Sequence, residues 1–350
     1  MLYKLTIIAA ACLMANNVFA QAKQEFAGDL QGKKTVLVAW SFDDGPVAAT
    51  DTLKSKLGVN NVTWFIVKKN MLTQTGKWDK NIARYKAIQD AGGEIGLHAQ
   101  HETVDHIIWF PAPKGTKYEC YDKIETAMAE LKTFKAELEK GGVKSKFTRL
   151  PGGLISQLAA YARHFGFAKN STKAATAVLN GKSFESLGLP GPPDTLKKLK
   201  TSFQKIETDF ATFKTSLKGM KVLLWANTKN PSQIKPMSWE AESSGTLSLN
   251  DNITYSVTLK AEREKKYPGY STKIAGKFER LADKMKDGER RSWLILAHDT
   301  SDKNIAAILE DKATMEAYAT KKGIKIEYVT MSTLFNRTTG KDAEKFKPDY

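Results

Sequence analysis

Two carboxylates, Asp43 and Asp44, stand side by side in "WSFDDGP", at the end of an apolar run and directly before Gly45 and Pro46. Strands bury apolar side chains, and a buried charge is costly unless it is paired or bound to metal. The chain has five histidines. Three of them, His98, His101 and His106, crowd into "HAQHETVDH" after a strand-like run, and His298 closes another such run just before Asp299. One histidine at a strand end is usually structural. Several histidines grouped with an aspartate pair offer the nitrogen and oxygen donors of a transition-metal site. The competing reading of the pair is a surface turn in which an aspartate bonds its own backbone. His164 falls in a predicted helix and takes no role.

The elements that must position these residues alternate. Apolar runs at 36–40, 62–67 ("VTWFIV"), 147–149, 221–225, 292–299 ("SWLILAHD") and 324–331 ("IKIEYVTM") predict strands, as does "GGEIGLH" ending at His98. Helical patterns lie between them at 51–57, 81–91, 157–165, 273–286 and 304–322. In a longer one, Ile124, Ala127, Leu131, Phe134 and Leu138 share one face. Strands alternating with helices predict a parallel α/β architecture, in which ligands gather at the carboxyl ends of strands. The middle of the chain, about 171–219, interrupts this. It holds "GLPGPP" and then Leu196, Leu199, Phe203, Ile206, Phe210, Phe213 and Leu217 at three-four spacing, a heptad seam. The seam predicts an inserted helix lying on the main domain, with pairing into a homodimer as the alternative. Alternation around "NDN" at 246–257 predicts a β-hairpin, also inserted.

Composition bounds the partners. The 350 residues, 41% hydrophobic and 26% charged, make one large domain or two ordinary ones. The net charge is +16, but the lysines are scattered, with no basic block interleaved with aromatics. That argues against nucleic acid and leaves an anionic envelope polysaccharide open. At the N-terminus Lys4 precedes an apolar run that ends in "VFA" at Ala20. This reads as a signal peptide over 1–20, with the mature domain over 21–350, exported to the periplasm or secreted. The run is too short for a transmembrane helix, and nothing later is apolar enough. A lipoprotein acylated at Cys12 is the alternative. Cleavage after Ala20 leaves Cys120 as the one cysteine, so no internal disulfide forms.

With those residues in view, a resemblance follows. "SFDDGP" resembles the first signature of the NodB-type polysaccharide deacetylases, carbohydrate esterase family 4. "TRLPGG" (148–153) resembles the third signature and "WLILAHD" the fifth, while "VTWFIV" and "YVTMSTL" resemble the second and closing strands. The likeness runs in order over 35–334, outside the central insertion. It implies a distorted (β/α) barrel with the helical and hairpin insertions added. It also implies roles: Asp43 as general base, Asp44 and His98 as metal ligands, Arg149 orienting the base, the Gly152 N–H holding an oxyanion, and His298 as general acid. The second signature departs from the family pattern, since Glu102 stands where the second histidine is expected. A small insertion lets Thr103 and His106 restore it; His101 is the rival ligand and Glu102 a third. In the fourth signature "SWEAESSG" keeps only a Trp with acids, so that Glu240 or Glu242 would orient His298. Ala297 replaces the usual Leu before His298.

The implied cofactor is Zn²⁺ or another divalent transition metal such as Co²⁺. The implied reaction is hydrolysis of N-acetyl groups on an envelope or extracellular polysaccharide, a peptidoglycan or chitin-like glycan, releasing acetate. The alternatives are an O-acetyl esterase, an amidase on a non-sugar substrate, a non-catalytic glycan-binding protein on the same fold, or a structural envelope protein paired through the seam. Trp109, Phe110 and Trp239 read as core.

Overall fold

The computed structural model describes residues 34–74, 77–105, 107–111, 119–216, 221–223, 246–247, 273–298, 302–334 and 346–348. The predicted signal peptide, Cys12, His106, Leu217, Trp239, Glu240, Glu242 and Asp299 lie outside them. The strands are β1 (Lys34–Gly45), β2 (Thr63–Val67), β3 (Glu94–Ala99), β4 (Ser145–Arg149), β5 (Lys221–Leu223), β6 (Thr246–Leu247), β7 (Arg290–His298), β8 (Ile324–Tyr328) and β9 (Phe346–Pro348). They form one sheet in the order β5-β4-β3-β2-β1-β7-β6, with β8 on β1 and β9 on β7. Every described pairing is parallel. The molecule is therefore α/β, as the alternation predicts, and the carboxyl ends of its strands lie on one side. No pairing of β5 with β6 is present among the described residues, so the sheet is seen as an open path.

β1 organises the sheet. Val36 to Trp40 are fully buried, as expected for a parallel strand covered on both faces. β7 pairs along its length from Thr35 to Asp43. The opposite edge is shared: β8 takes Lys34 to Val38, and β2 takes Ser41 to Gly45. This fork lets one long strand carry the site at its far end. Its alternating side chains sort into two cores. Val36, Val38, Trp40 and Phe42 face the larger one, under the helices. Leu37 and Ala39 join Phe65, Phe147, Val329, Met331 and Leu334 in a smaller one. Ser41 and Asp43 continue that second face by the two-residue period.

The helices are α1 (Thr50–Leu57), α2 (Lys68–Thr73), α3 (Lys77–Asp90), α4 (Ile124–Lys140), α5 (Leu154–His164), α6 (Ser171–Leu179), α7 (Pro193–Ser216), α8 (Lys273–Lys284) and α9 (Asp302–Lys321). The α4 stripe is buried as its spacing predicts. Sequence periodicity gives no sign of α2, because six residues hold fewer than two turns. The predicted hairpin differs from the structure. Thr246 and Leu247 belong to the main sheet, parallel to Leu294 and Ile295 of β7; 248–257 lie outside the described residues.

The seam of α7 faces its own chain. Phe203, Ile206, Phe210 and Phe213 are buried. Phe213 meets Phe110 at 4.8 Å and the edge of Trp109 at 6.0 Å between ring centroids. Trp109 and Phe110 are themselves fully buried, which places them in the core. We predict that Ile206→Val costs about 0.5–1.5 kcal/mol in urea unfolding. The midpoint should not depend on protein concentration; a concentration-dependent midpoint would show that the seam joins two copies. No helix of the described residues is long and apolar enough to cross a membrane.

Candidate active site

Four strand ends converge. Asp43 lies opposite His298 in the β1/β7 register, so their side chains share a face. Arg149 closes β4, two residues after Phe147 of the smaller core. His98 lies near the end of β3, two residues after Gly96. A Cβ on Gly96 would come within 2.3 Å of the Phe65 ring. Glycine there lets Phe65 lie flat, and the Arg149 guanidinium stacks 4.0 Å above that ring.

The sequence raised the problem of two adjacent acids, since neighbours on a strand point to opposite faces. Asp44 resolves it through its own backbone. Its φ is 69°, in the left-handed region that Asp tolerates better than most residues. The β1/β2 pairing shifts there: three steps on β1, from Phe42 to Gly45, match two on β2, from Trp64 to Ile66. Such a bulge re-aims a side chain. The result is that Asp44 Oδ1 lies 3.3 Å from His98 Nε2 and Asp44 Oδ2 lies 3.3 Å from His298 Nε2.

Asp43 is buried, and Arg149 Nη1 donates to its Oδ1 at 2.7 Å. Arg149 also donates to Ser41 Oγ from both terminal nitrogens at 3.1 Å, and Ser41 Oγ in turn donates to the Ile295 carbonyl. The guanidinium is fully buried, so these partners and the Phe65 face stand in for water. With Oδ1 occupied by Arg149, Asp43 Oδ2 turns towards His98 Nε2 at 3.8 Å.

His98 Nδ1 donates to the Arg149 carbonyl at 2.9 Å. A carbonyl can only accept, so Nδ1 carries the hydrogen and Nε2 of the neutral ring presents a lone pair. Zinc binds nitrogen and oxygen at about 2.0–2.2 Å in a tetrahedron, which puts neighbouring donors about 3.3–3.6 Å apart. Asp44 Oδ1 and His98 Nε2 match that spacing, as do Asp44 Oδ2 and His298 Nε2, so Asp44 with a neighbouring histidine fits a metal. No described group of three His, Cys, Asp or Glu side chains could hold one, and the third expected ligand, His106, lies outside the described residues. The two rivals are engaged elsewhere. Glu102 pairs with Lys68 at 3.0 Å. His101 Nδ1 accepts from the Thr103 N–H at 3.3 Å, and its ring meets the edge of Tyr121.

Burial disfavours charge on His98, but the Asp43 charge and the Asp44 hydrogen bond and charge outweigh it, and its pKa rises above the ordinary 6.5. The raised value sets the sign of two effects. In the metal-free protein the protonated ring contributes stability in full below about pH 6.5, and this is lost as pH rises through the raised value. A metal held by His98 would need the neutral ring, so it would compete with the proton. We predict that apparent zinc affinity falls about tenfold per pH unit below the raised value. Zinc titrations across this range measure it, and a flat profile would show that His98 is not a ligand.

Gly152 sits in the turn after Arg149, where the Gly153 N–H donates to the Leu150 carbonyl. Its φ of 66° favours glycine. Ala297 is fully buried. The sequence reading missed Ser41, Phe65 and Asn70. Ser41 was detectable, lying two residues before Asp43 on the same face. Asn70 Nδ2 donates to the Asp44 carbonyl at 2.7 Å, and no local pattern announces it.

No protein-family model matches the chain, and no curated protein matches it. Solved structures do. One is the peptidoglycan deacetylase PdaC from Bacillus subtilis, 16% identical, covering 90% of this chain and 96% of that one, with a TM-score of 0.40. The Xyl-CE4 domain of a multidomain xylanase from the hindgut metagenome of Trinervitermes trinervoides is 13% identical over 91% and 95%, with a TM-score of 0.39. The chitin deacetylase from the fungal pathogen Colletotrichum lindemuthianum is 13% identical over 85% and 88%, with a TM-score of 0.36. At these values the overall superposition argues nothing about activity, and the weight falls on the side chains of the site.

Proposed function

We propose that this chain is a metal-dependent deacetylase of the NodB type, acting on N-acetyl groups of an envelope or extracellular polysaccharide and releasing acetate. The observation that carries this reading is the convergence of Asp43, Asp44, His98 and His298, with Arg149 held against Asp43. The order of the signature-like segments supports it independently. A binding protein has no need of a base and an acid on opposite sides of a donor pair.

Asp44 and His98 would hold the metal, with His106 as the expected third ligand. When bound, Zn²⁺ supplies Lewis-acid polarisation of an acyl carbonyl. Arg149 occupies one oxygen of Asp43 and leaves Oδ2 to take a proton from the attacking water. The Gly152 N–H is assigned to the oxyanion. His298, across the site on β7, delivers a proton from Nε2 to the leaving amine, so that the sugar departs as a free amino sugar. Export through a cleaved segment 1–20 fits an envelope substrate, and a +16 surface favours an anionic polymer.

The test is acetate release from peptidoglycan, acetylglucosamine oligomers and an O-acetylated glycan, with and without Zn²⁺. Zinc-dependent release from the first two establishes the N-deacetylase; release from the third alone makes the chain an O-acetyl esterase. No release from any of them, with no metal bound, sinks the enzyme reading in favour of a glycan-binding protein.

A further inference from the structure

α2 follows β2 directly, and two of its residues hold the Asp44 end of β1 and the segment that follows β3. Lys68 is 6% exposed. Its Nζ lies 2.8 Å from Glu137 Oε2 on α4 and 3.0 Å from Glu102 Oε1 in the segment after β3. An ammonium is costly to bury without partners. Burial lowers the Lys68 pKa, but the hydrogen bonds and charges of Glu137 and Glu102 more than offset that, and it rises. Two residues on, Asn70 holds the Asp44 carbonyl at 2.7 Å. It thereby braces the one residue of β1 with a left-handed backbone. Lys69 also reaches Asp105, at 3.5 Å, but both partners are half-exposed, and such pairs contribute little.

We infer that Lys68 and Asn70 are positioning residues for the two segments that flank the donor pair, the Asp44 end of β1 and the chain that follows His98. Asn70 fixes the carbonyl of Asp44, and Lys68 ties the segment carrying His101 and Glu102 to α4. One short helix thus connects the β1 side of the site to the β3 side. The geometry stands by itself; its consequence for metal rests on the proposed deacetylase reading.

Two measurements on the full chain test this. Zn²⁺ titration calorimetry compares the wild type with Asn70→Ala, Lys68→Met, Lys68→Arg and Lys69→Ala. Outer partners of metal ligands typically control affinity by about 10- to 100-fold. That loss is expected for Asn70→Ala; a smaller loss is expected for Lys68→Met, which touches no donor itself, with partial recovery in Lys68→Arg and no change in Lys69→Ala. Wild-type affinity in both Asn70→Ala and Lys68→Met would overturn the inference, whatever their thermal stability. Amide hydrogen exchange of residues 100–105 in the metal-free protein is the second measurement, and it needs no metal. Faster exchange in Lys68→Met is expected, and unchanged exchange overturns the Lys68 tie. If the wild type binds no zinc, the deacetylase reading fails while exchange still decides the positioning role.

Discussion

On the proposed deacetylase reading, replacing Asp43 by Asn should lower kcat for acetate release by about 10²–10⁴-fold, the range that a positioned general base contributes. Asn keeps an oxygen for Arg149 Nη1 but offers no carboxylate at the Oδ2 position, which is the one turned towards His98. Zinc affinity should change far less than kcat, because Asp44, not Asp43, sits at donor spacing from His98. KM should likewise hold, since the lost interaction develops only as the proton moves. A kcat within tenfold of wild type would remove Asp43 as the base. A collapse of zinc affinity would make it a ligand instead.

Arg149→Leu destabilises the fold by about 3–5 kcal/mol, the cost of leaving one member of a buried ion pair without the other. Arg149 is fully buried and Asp43 is 3% exposed, so water cannot replace the lost partner. Leucine also abandons the Ser41 hydroxyl and the Phe65 face. Lysine would not rescue it, because a point charge cannot reach Asp43 and Ser41 together while stacking on a ring. Denaturant unfolding of the metal-free protein measures the loss. Adding Asp43→Asn to Arg149→Leu should cost less than the sum of the two single changes, because the orphaned charge is then gone. Additive losses would mean that the 2.7 Å contact contributes no coupling.

The sequence by itself determined the local elements and the residue types of the site. Alternating apolar runs predicted β1, β2, β3, β4, β5, β7 and β8, and the 124–138 stripe predicted α4. Parallel strands bring their carboxyl ends together, so Asp43, His98 and His298, each at or near a strand end, were legible as a group, while Arg149 joined them only through the resemblance of "TRLPGG" to a family signature. Periodicity carries such information because neighbours in sequence share solvent or core. The tertiary structure decided everything that depends on register. It turned Asp44 to the side of Asp43 through a bulge and a left-handed residue, held by an asparagine 26 positions away. Glu102 was tied to Lys68, and not to the donor pair, by an ion pair between separate segments. The α7 seam could pair with a second copy or with its own chain. Trp109 and Phe110, roughly a hundred residues earlier, pack against Phe213 of the seam. None of these has a local signature, because each depends on a contact between residues that only the packed sheet and its helices bring within reach.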